Sequence, residues 1–214
     1  MSNALSFDAE WQSIYYDHQV RDSIFTKEDG TTSKVKLMYS TEGDYLETEQ
    51  AEGFLKYYAD RKYAFAALLP KEGVTVSELL ASLTGEELRR ILEHPVKITV
   101  HGAIPEYESE YSVQMNQILQ EMGMADAFDI YKADFSGIGS QRDGNLYISG
   151  VVHKTFIEVS ERGTRAGAAT MVAVNGGAGM PSESRTVYLD RPFVYMIVDC
   201  ESNLPVFIGT VISV

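Results

Sequence analysis

The sequence predicts an α+β chain in which sheet dominates and three short helices are set between strands. The C-terminal runs PFVYMIVDC and PVFIGTVISV are apolar on both faces, the pattern of central strands covered on two sides. Midway along the chain, Thr75 with Glu78 and Thr84 with Glu87 each have the spacing of a capping box, so two helices follow one another. With 44% hydrophobic and 11% aromatic residues among 214, a core can form without disulfide bridges, and Cys200 is the only cysteine.

Between residues 21 and 69 the pattern is one of short strands, with turn signals at Asp29-Gly30 and Glu42-Gly43. YAFAALLP closes that region as a buried strand ended by proline. Val76, Leu79, Leu80 and Leu83 recur at i, i+3, i+4 and i+7 and make the buried stripe of the first helix; Pro95 stops the second. Val96, Ile98 and Val100 alternate as a strand. Val113, Ile118, Leu119 and Met122 fall on one face of a third helix, closed by Gly123. Residues 146–159 predict one long strand in which Tyr147, Val151, His153, Ile157 and Val159 share a face, so His153 points into an apolar layer. The neighbours of Cys200 predict a buried thiol.

Composition excludes several function classes. Lys and Arg number 18 against 31 Asp and Glu, and 18 − 31 = −13 is the wrong sign for nucleic acid or an anionic membrane. No apolar run approaches the ~20 residues that span a bilayer, and SNALSFDAEW after Met1 lacks the basic start and apolar middle of a signal peptide. His18, His94, His101 and His153 show no metal-ligand spacing. There is no GxSxG elbow and no GxxxxGK[ST] loop, so neither a metal, a cofactor nor enzymatic chemistry is expected. NGGAG, residues 175–179, lacks a strand before it and a helix after it and reads as an exposed loop. Asp44 and Glu47, with Glu42, Glu49 and Glu52 nearby, read as a solvated face.

The stretch from Glu161 to Arg185 calls for a cause. It carries no charge from residue 166 to 182 and is built from small or β-branched side chains. Counted by twos, Thr164, Ala166, Ala168, Thr170, Val172 and Val174 share one strand face. Arg165, Gly167, Ala169, Met171, Ala173 and Asn175 share the other. The first face is fit for burial and the second holds the single charge, as for a segment exposed in one state and inserted in another. Read locally, AGAAT equally favours an Ala-rich loop or helix.

HKTFIEVSERGTRAGAAT resembles the hinge of the serpins, and GAIPEYESEY, ADFSGI and DRPFVYMIVDCESNLPVFIGTV resemble that family's segments in the same order and spacing. Asn3 precedes Trp11, and His153 precedes Glu161, by the separations the family shows between its shutter and breach positions. The resemblance covers the whole chain. It implies that residues 1–214 are the C-terminal portion of a single serpin domain, beginning within the third strand of the main sheet, with residues 161–190 as the reactive-centre loop region.

What the family implies is a suicide substrate. A target serine protease cuts the exposed loop, and the loop inserts as a new strand before the acyl-enzyme is released. On this resemblance the hinge comprises Glu161, Gly163, Thr164, Ala166, Ala168, Ala169 and Thr170. The scissile bond lies in a window of Gly176, Gly177, Ala178, Gly179, Met180 and Pro181, and Asn3, Trp11 and His153 hold the shutter and breach. The small residues of the window favour elastase-like or subtilisin-like targets, with cleavage after Arg185 by a trypsin-like enzyme as the runner-up. The implied partners are the target protease, the missing N-terminal half and, for the isolated chain, other copies of itself. The isolated half-chain is expected to be inactive and the complete protein secreted or extracellular. A non-inhibitory binding protein is the alternative, disfavoured because the inward hinge positions carry no charged or bulky residue and no proline.

Overall fold

The structure, a computed structural model, describes residues 2–5, 7–139, 144–164 and 183–214. Its strands are β1 (Ser2–Leu5), β2 (Ala9–Glu10), β3 (Val20–Thr26), β4 (Thr32–Glu47), β5 (Ala51–Tyr57), β6 (Tyr63–Pro70) and β7 (Val96–Pro105). After these come β8 (Tyr107–Gln114), β9 (Val152–Ser160), β10 (Gly163–Thr164), β11 (Ser184–Tyr188), β12 (Phe193–Asp199) and β13 (Leu204–Val211). The α-helices are α1 (Val76–Ser82), α2 (Gly85–Glu93) and the single turn α3 (Asn116–Leu119). The chain divides into two compact units, Met1–Phe7 with Ser109–Ile157 and Asp8–Glu108 with Glu158–Val214.

The larger unit is organised by an eight-stranded sheet in the order β11-β7-β4-β5-β6-β12-β13, with β3 paired to β4. The apolar runs set its centre. From Ala64 to Pro70 every residue of β6 is buried, as is all of β12 from Phe193 to Val198. Helices α1 and α2 cover one face, where Val76, Leu79, Ile91 and Leu92 pack with Leu46, Leu55, Leu68, Val194 and Met196. Aromatic rings fill the other, with Phe65 stacked against Tyr195 at 6.1 Å between centroids. Both helices begin on side-chain caps, the Thr75 and Thr84 hydroxyls accepting from the backbone N–H of Glu78 and Glu87.

Four local expectations are corrected. Asp29-Gly30 is a turn, with Asp29 accepting from the Thr31 backbone and Gly30 at φ +80°, but Glu42-Gly43 is not. There β4 runs straight on, and the register against β7 shifts between Glu42 and Asp44, so Gly43 marks a bulge inside a 16-residue strand. The acidic stretch is correspondingly less solvated than its composition suggests: Asp44 is buried against Lys97, and Glu42, partly buried, pairs with Lys56. β13 is not covered on both faces among the described residues. It lies at the end of the sheet and exposes Leu204, Val206 and Ile208 on one side. Cys200 is half-buried, at the turn beyond β12.

In the smaller unit β1 pairs in parallel with β9, placing Asn3 in register with His153, and β8 also pairs with β9. The long strand predicted over 146–159 begins only at Val152. Upstream, the Ile148 N–H donates to the Ala127 carbonyl and the Val151 N–H to the Asn116 side chain, while the Asn145 side-chain amide reaches the carbonyls of Ile130 and Ala133, so this stretch is tied to other segments and Tyr147 is exposed. Val113 belongs to β8 rather than to the third helix. That helix is one α-turn followed by a wider turn and a 3₁₀ turn to Phe128, broken by Gly123 at φ +104°, and it leaves Met122 exposed.

Two glycines test this account of β4 and β5. A Cβ at Gly53 would stand 1.8 Å from the Ala67 carbonyl oxygen, whereas one at Gly43 meets nothing within 4 Å. Gly53→Ala is expected to lose ~3 kcal/mol or more of stability, and Gly43→Ala to stay within ~0.5 kcal/mol of wild type, in urea unfolding.

Candidate functional site

The chemistry-bearing cluster of the larger unit is built around the residues that β10 brings together. Gly163 and Thr164 pair antiparallel with β9 on one side, opposite Ser160 and Val159, and with β2 on the other, opposite Glu10 and Ala9. Gly163 is required by close approach. A Cβ there would stand 2.2 Å from the Ala9 carbonyl oxygen and 2.7 Å from the Glu10 Cα. Thr164 is fully buried, and its hydroxyl hydrogen-bonds the Tyr58 hydroxyl at 2.7 Å.

Tyr58 stacks on Trp11 at 4.6 Å between ring centroids, and Phe65 meets the same indole edge-on at 5.9 Å. The Trp11 indole N–H donates to the Ser160 carbonyl and its backbone N–H to the Arg162 carbonyl, each at 2.9 Å. Tyr15 closes the turn, its N–H donating to the Glu161 carbonyl at 2.9 Å. Arg162 reaches back to Glu10 at 3.2 Å. The turn before β10 is thus gripped through its backbone by the segment that follows β2.

Beneath Trp11 lies Lys56, only 1% exposed. It projects from the FLKY run of β5, and its Nζ donates to Glu42 Oε1 at 3.0 Å. The ammonium also lies 4.4 Å from the centre of the Tyr15 ring and 5.5 Å from that of Trp11, so two aromatic faces share its charge. Burial alone would lower the lysine pKa, but Tyr15 and Glu42 outweigh it and hold the group above its ordinary value. Burial pushes the Tyr15 hydroxyl up, with Lys56 opposing, and Glu42 accepts a further bond from Ser40 at 2.7 Å. Burial likewise drives the Tyr58 hydroxyl far up, so it remains a neutral partner for Thr164.

The serpin family model, described as a serine protease inhibitor family, matches residues 1–214. The chain belongs to the serpin family. Its structure is similar to that of the thermophilic serpin tengpin in the native state, with a TM-score of 0.89 and 46% identity over 100% of this chain and 55% of that one. In sequence it is 32% identical to an uncharacterized serpin-like protein of Thermococcus kodakarensis, over 100% of this chain and 49% of that protein. It is 30% identical to leukocyte elastase inhibitor A of Rattus norvegicus, over 99% of this chain and 57% of that protein. This serpin chain therefore spans about half the length of the curated relatives it matches.

Of the residues singled out in the sequence, Trp11, Glu161, Gly163 and Thr164 come together in this cluster. His153 is half-buried in β9 of the smaller unit, beside Asn3 in the ladder; the Asn3 side chain lies outside the described residues. Ala166, Ala168, Ala169 and Thr170, and Gly176 through Pro181, also lie outside them. Arg185 lies in β11, paired in parallel with β7 and bridged to Glu183 at 2.6 Å, so cleavage after it would need that ladder to open. The sequence reading missed Tyr58, Tyr15, Glu42 and Lys56. A lone lysine in the apolar run FLKYY was the available signal.

The buried pair yields a stability prediction. Glu42→Gln leaves the Lys56 charge without its anion and is expected to cost ~3 kcal/mol. Replacing both residues together, as Lys56→Met with Glu42→Leu, should cost less than the single change. Urea unfolding followed by the emission of Trp11, the only tryptophan, measures both.

Proposed function

We propose that the protein is a suicide-substrate inhibitor of serine proteases, with residues 1–214 as the C-terminal portion of one serpin domain and 161–190 as its reactive-centre loop region. One observation carries this reading. The segment that leads into the loop already contributes a two-residue strand between β9 and β2, with Thr164 facing inward and buried. A cut loop would continue that pairing along β9, parting β9 from β1 between Val152 and Thr155 and replacing those bonds with its own main-chain hydrogen bonds and apolar contacts. Ala166, Ala168 and Thr170 follow Thr164 at the spacing of the inward face and carry nothing costly to bury.

Small residues from Gly176 to Gly179 suit proteases with a shallow primary pocket, and the inhibitor relative named for leukocyte elastase supports an elastase-like target. The Arg185 pairing weighs against a trypsin-like cut at that position. The loop needs a complete sheet to enter, so the 214-residue chain by itself traps no protease. Its exposed β13 face favours association with further copies, through Leu204, Val206 and Ile208. The complete protein acts outside the cell.

The test is an SDS-stable complex between the full-length protein and an elastase-like enzyme, with mass spectrometry of the released peptide. Cleavage is expected within Gly176–Pro181; faster trapping of trypsin, cut after Arg185, would refute the assignment. Ala168→Glu should convert the protein from inhibitor to substrate, shifting the partition by about tenfold or more, because insertion must then bury a carboxyl group. Ala169→Glu, on the outward face, should leave most inhibition intact. In light scattering the isolated chain is expected to exceed monomer mass.

A further inference from the structure

Tyr58 is fixed in place before its hydroxyl is considered. Its N–H donates to the Tyr63 carbonyl at 3.1 Å and its carbonyl accepts from the Arg61 N–H at 2.9 Å, closing the turn between β5 and β6. An antiparallel bridge joins its backbone to that of Trp11. Its ring lies on the Trp11 indole, with 4.6 Å between centroids and 13° between planes. A phenol held this way delivers its hydroxyl to one place: the Thr164 hydroxyl, 2.7 Å away and 106 positions along the chain. Both residues are 0% exposed, so neither hydroxyl can turn to bulk water instead.

Thr164 carries the first side chain of β10, because Gly163 before it has none. Burial alone favours valine at this position, since the two side chains share a shape and a methyl group costs less to bury than a hydroxyl. The sequence instead sets threonine against tyrosine, two groups that can each donate and accept. We propose that Tyr58 is a positioning residue that selects a hydroxyl at residue 164 and so sets how cut loops divide between trapping a protease and being released as substrate. This role rests on the inhibitor reading, because such a division exists only where a protease is held.

The bond seats residue 164 between Val159 of β9 and Ala9 of β2 while the loop is whole. After cleavage, insertion starts with that residue already in position. Without the Tyr58 hydroxyl, the Thr164 hydroxyl loses the partner it has here, and leaving the slot for water becomes favourable for it. Insertion must then reseat residue 164 first, while hydrolysis of the acyl-enzyme proceeds at its own rate. The fully buried Tyr58 offers no surface to a protease, so the loss falls on the division of products rather than on recognition. The requirement is also mutual: an apolar residue at 164 suits phenylalanine at 58 and strands tyrosine.

The experiment uses the full-length protein with whichever of an elastase-like enzyme and trypsin the wild type traps. It reads the moles of inhibitor consumed per mole of enzyme trapped, and the thermal midpoint. Tyr58→Phe keeps the ring on Trp11 and removes one hydroxyl; Thr164→Val keeps the shape and removes the other. Each alone is expected to raise consumption about fivefold and to lower the midpoint by about 3 °C. The double variant strands no polar group and should recover most of both. Burial alone predicts the opposite sign for Thr164→Val, an improvement whatever stands at 58. Wild-type consumption in Tyr58→Phe, or a double variant as impaired as its singles combined, would overturn the role of Tyr58 and leave the inhibitor reading intact. A wild type that forms no covalent complex with either enzyme would sink the inhibitor reading and, with it, this role.

Discussion

Lys56 carries a full charge at a place where almost none of the residue touches solvent. An ammonium so placed must be answered on every side, and the answers fix the positions of Glu42 on the neighbouring strand, of Tyr15 and of Trp11. Each then has a further obligation. Glu42 takes the Ser40 hydroxyl, Tyr15 takes the Glu161 carbonyl through its N–H, and Trp11 takes the carbonyls of Ser160 and Arg162. A single buried cation in β5 thereby dictates where the turn before β10 can rest.

The same arrangement orders this end of the sheet. Its apolar contacts are ring against ring, Tyr58 stacked on Trp11 and Phe65 edge-on to it. The Thr164 and Tyr58 hydroxyls are different, since each is buried and parting them strands two polar groups unless new partners arrive. Residues near such a junction hold one state through directional bonds of modest net strength; on the proposed inhibitor reading, that suits a segment that keeps its place until the loop is cut.

The sequence was most legible where structure is set locally. Both caps are present, with the full reciprocal box at Thr75 and Glu78 and only the hydroxyl half at Thr84, because such bonds satisfy backbone groups within their own turn. The apolar runs of β6 and β12 also announced themselves, being buried on both faces. Misreadings arose where a distant partner decided the outcome. Gly43 looked like a turn residue, but β7 holds β4 in line across it; residues 146–151 alternate like a strand, but their backbone groups are taken by other segments. Val113 fits a helical stripe in one dimension and a ladder in three. Within the candidate site, Trp11, Gly163 and Thr164 were recognisable from the family pattern. Tyr58 and Lys56 were not, because their roles depend on pairing with residues far along the chain.

Gly163 gives the seam at β10 a particular character. Joining strands is a process with a costly first contact and cheaper later ones, as in any cooperative ladder, where the first pair fixes backbone freedom for few bonds. Here that first contact exists already: without a side chain, residue 163 lets β2 and β10 approach to a distance no Cβ would permit. If the loop inserts, the step that remains is propagation rather than nucleation, and its speed is governed by what each following residue adds to a zipper whose first tooth is engaged.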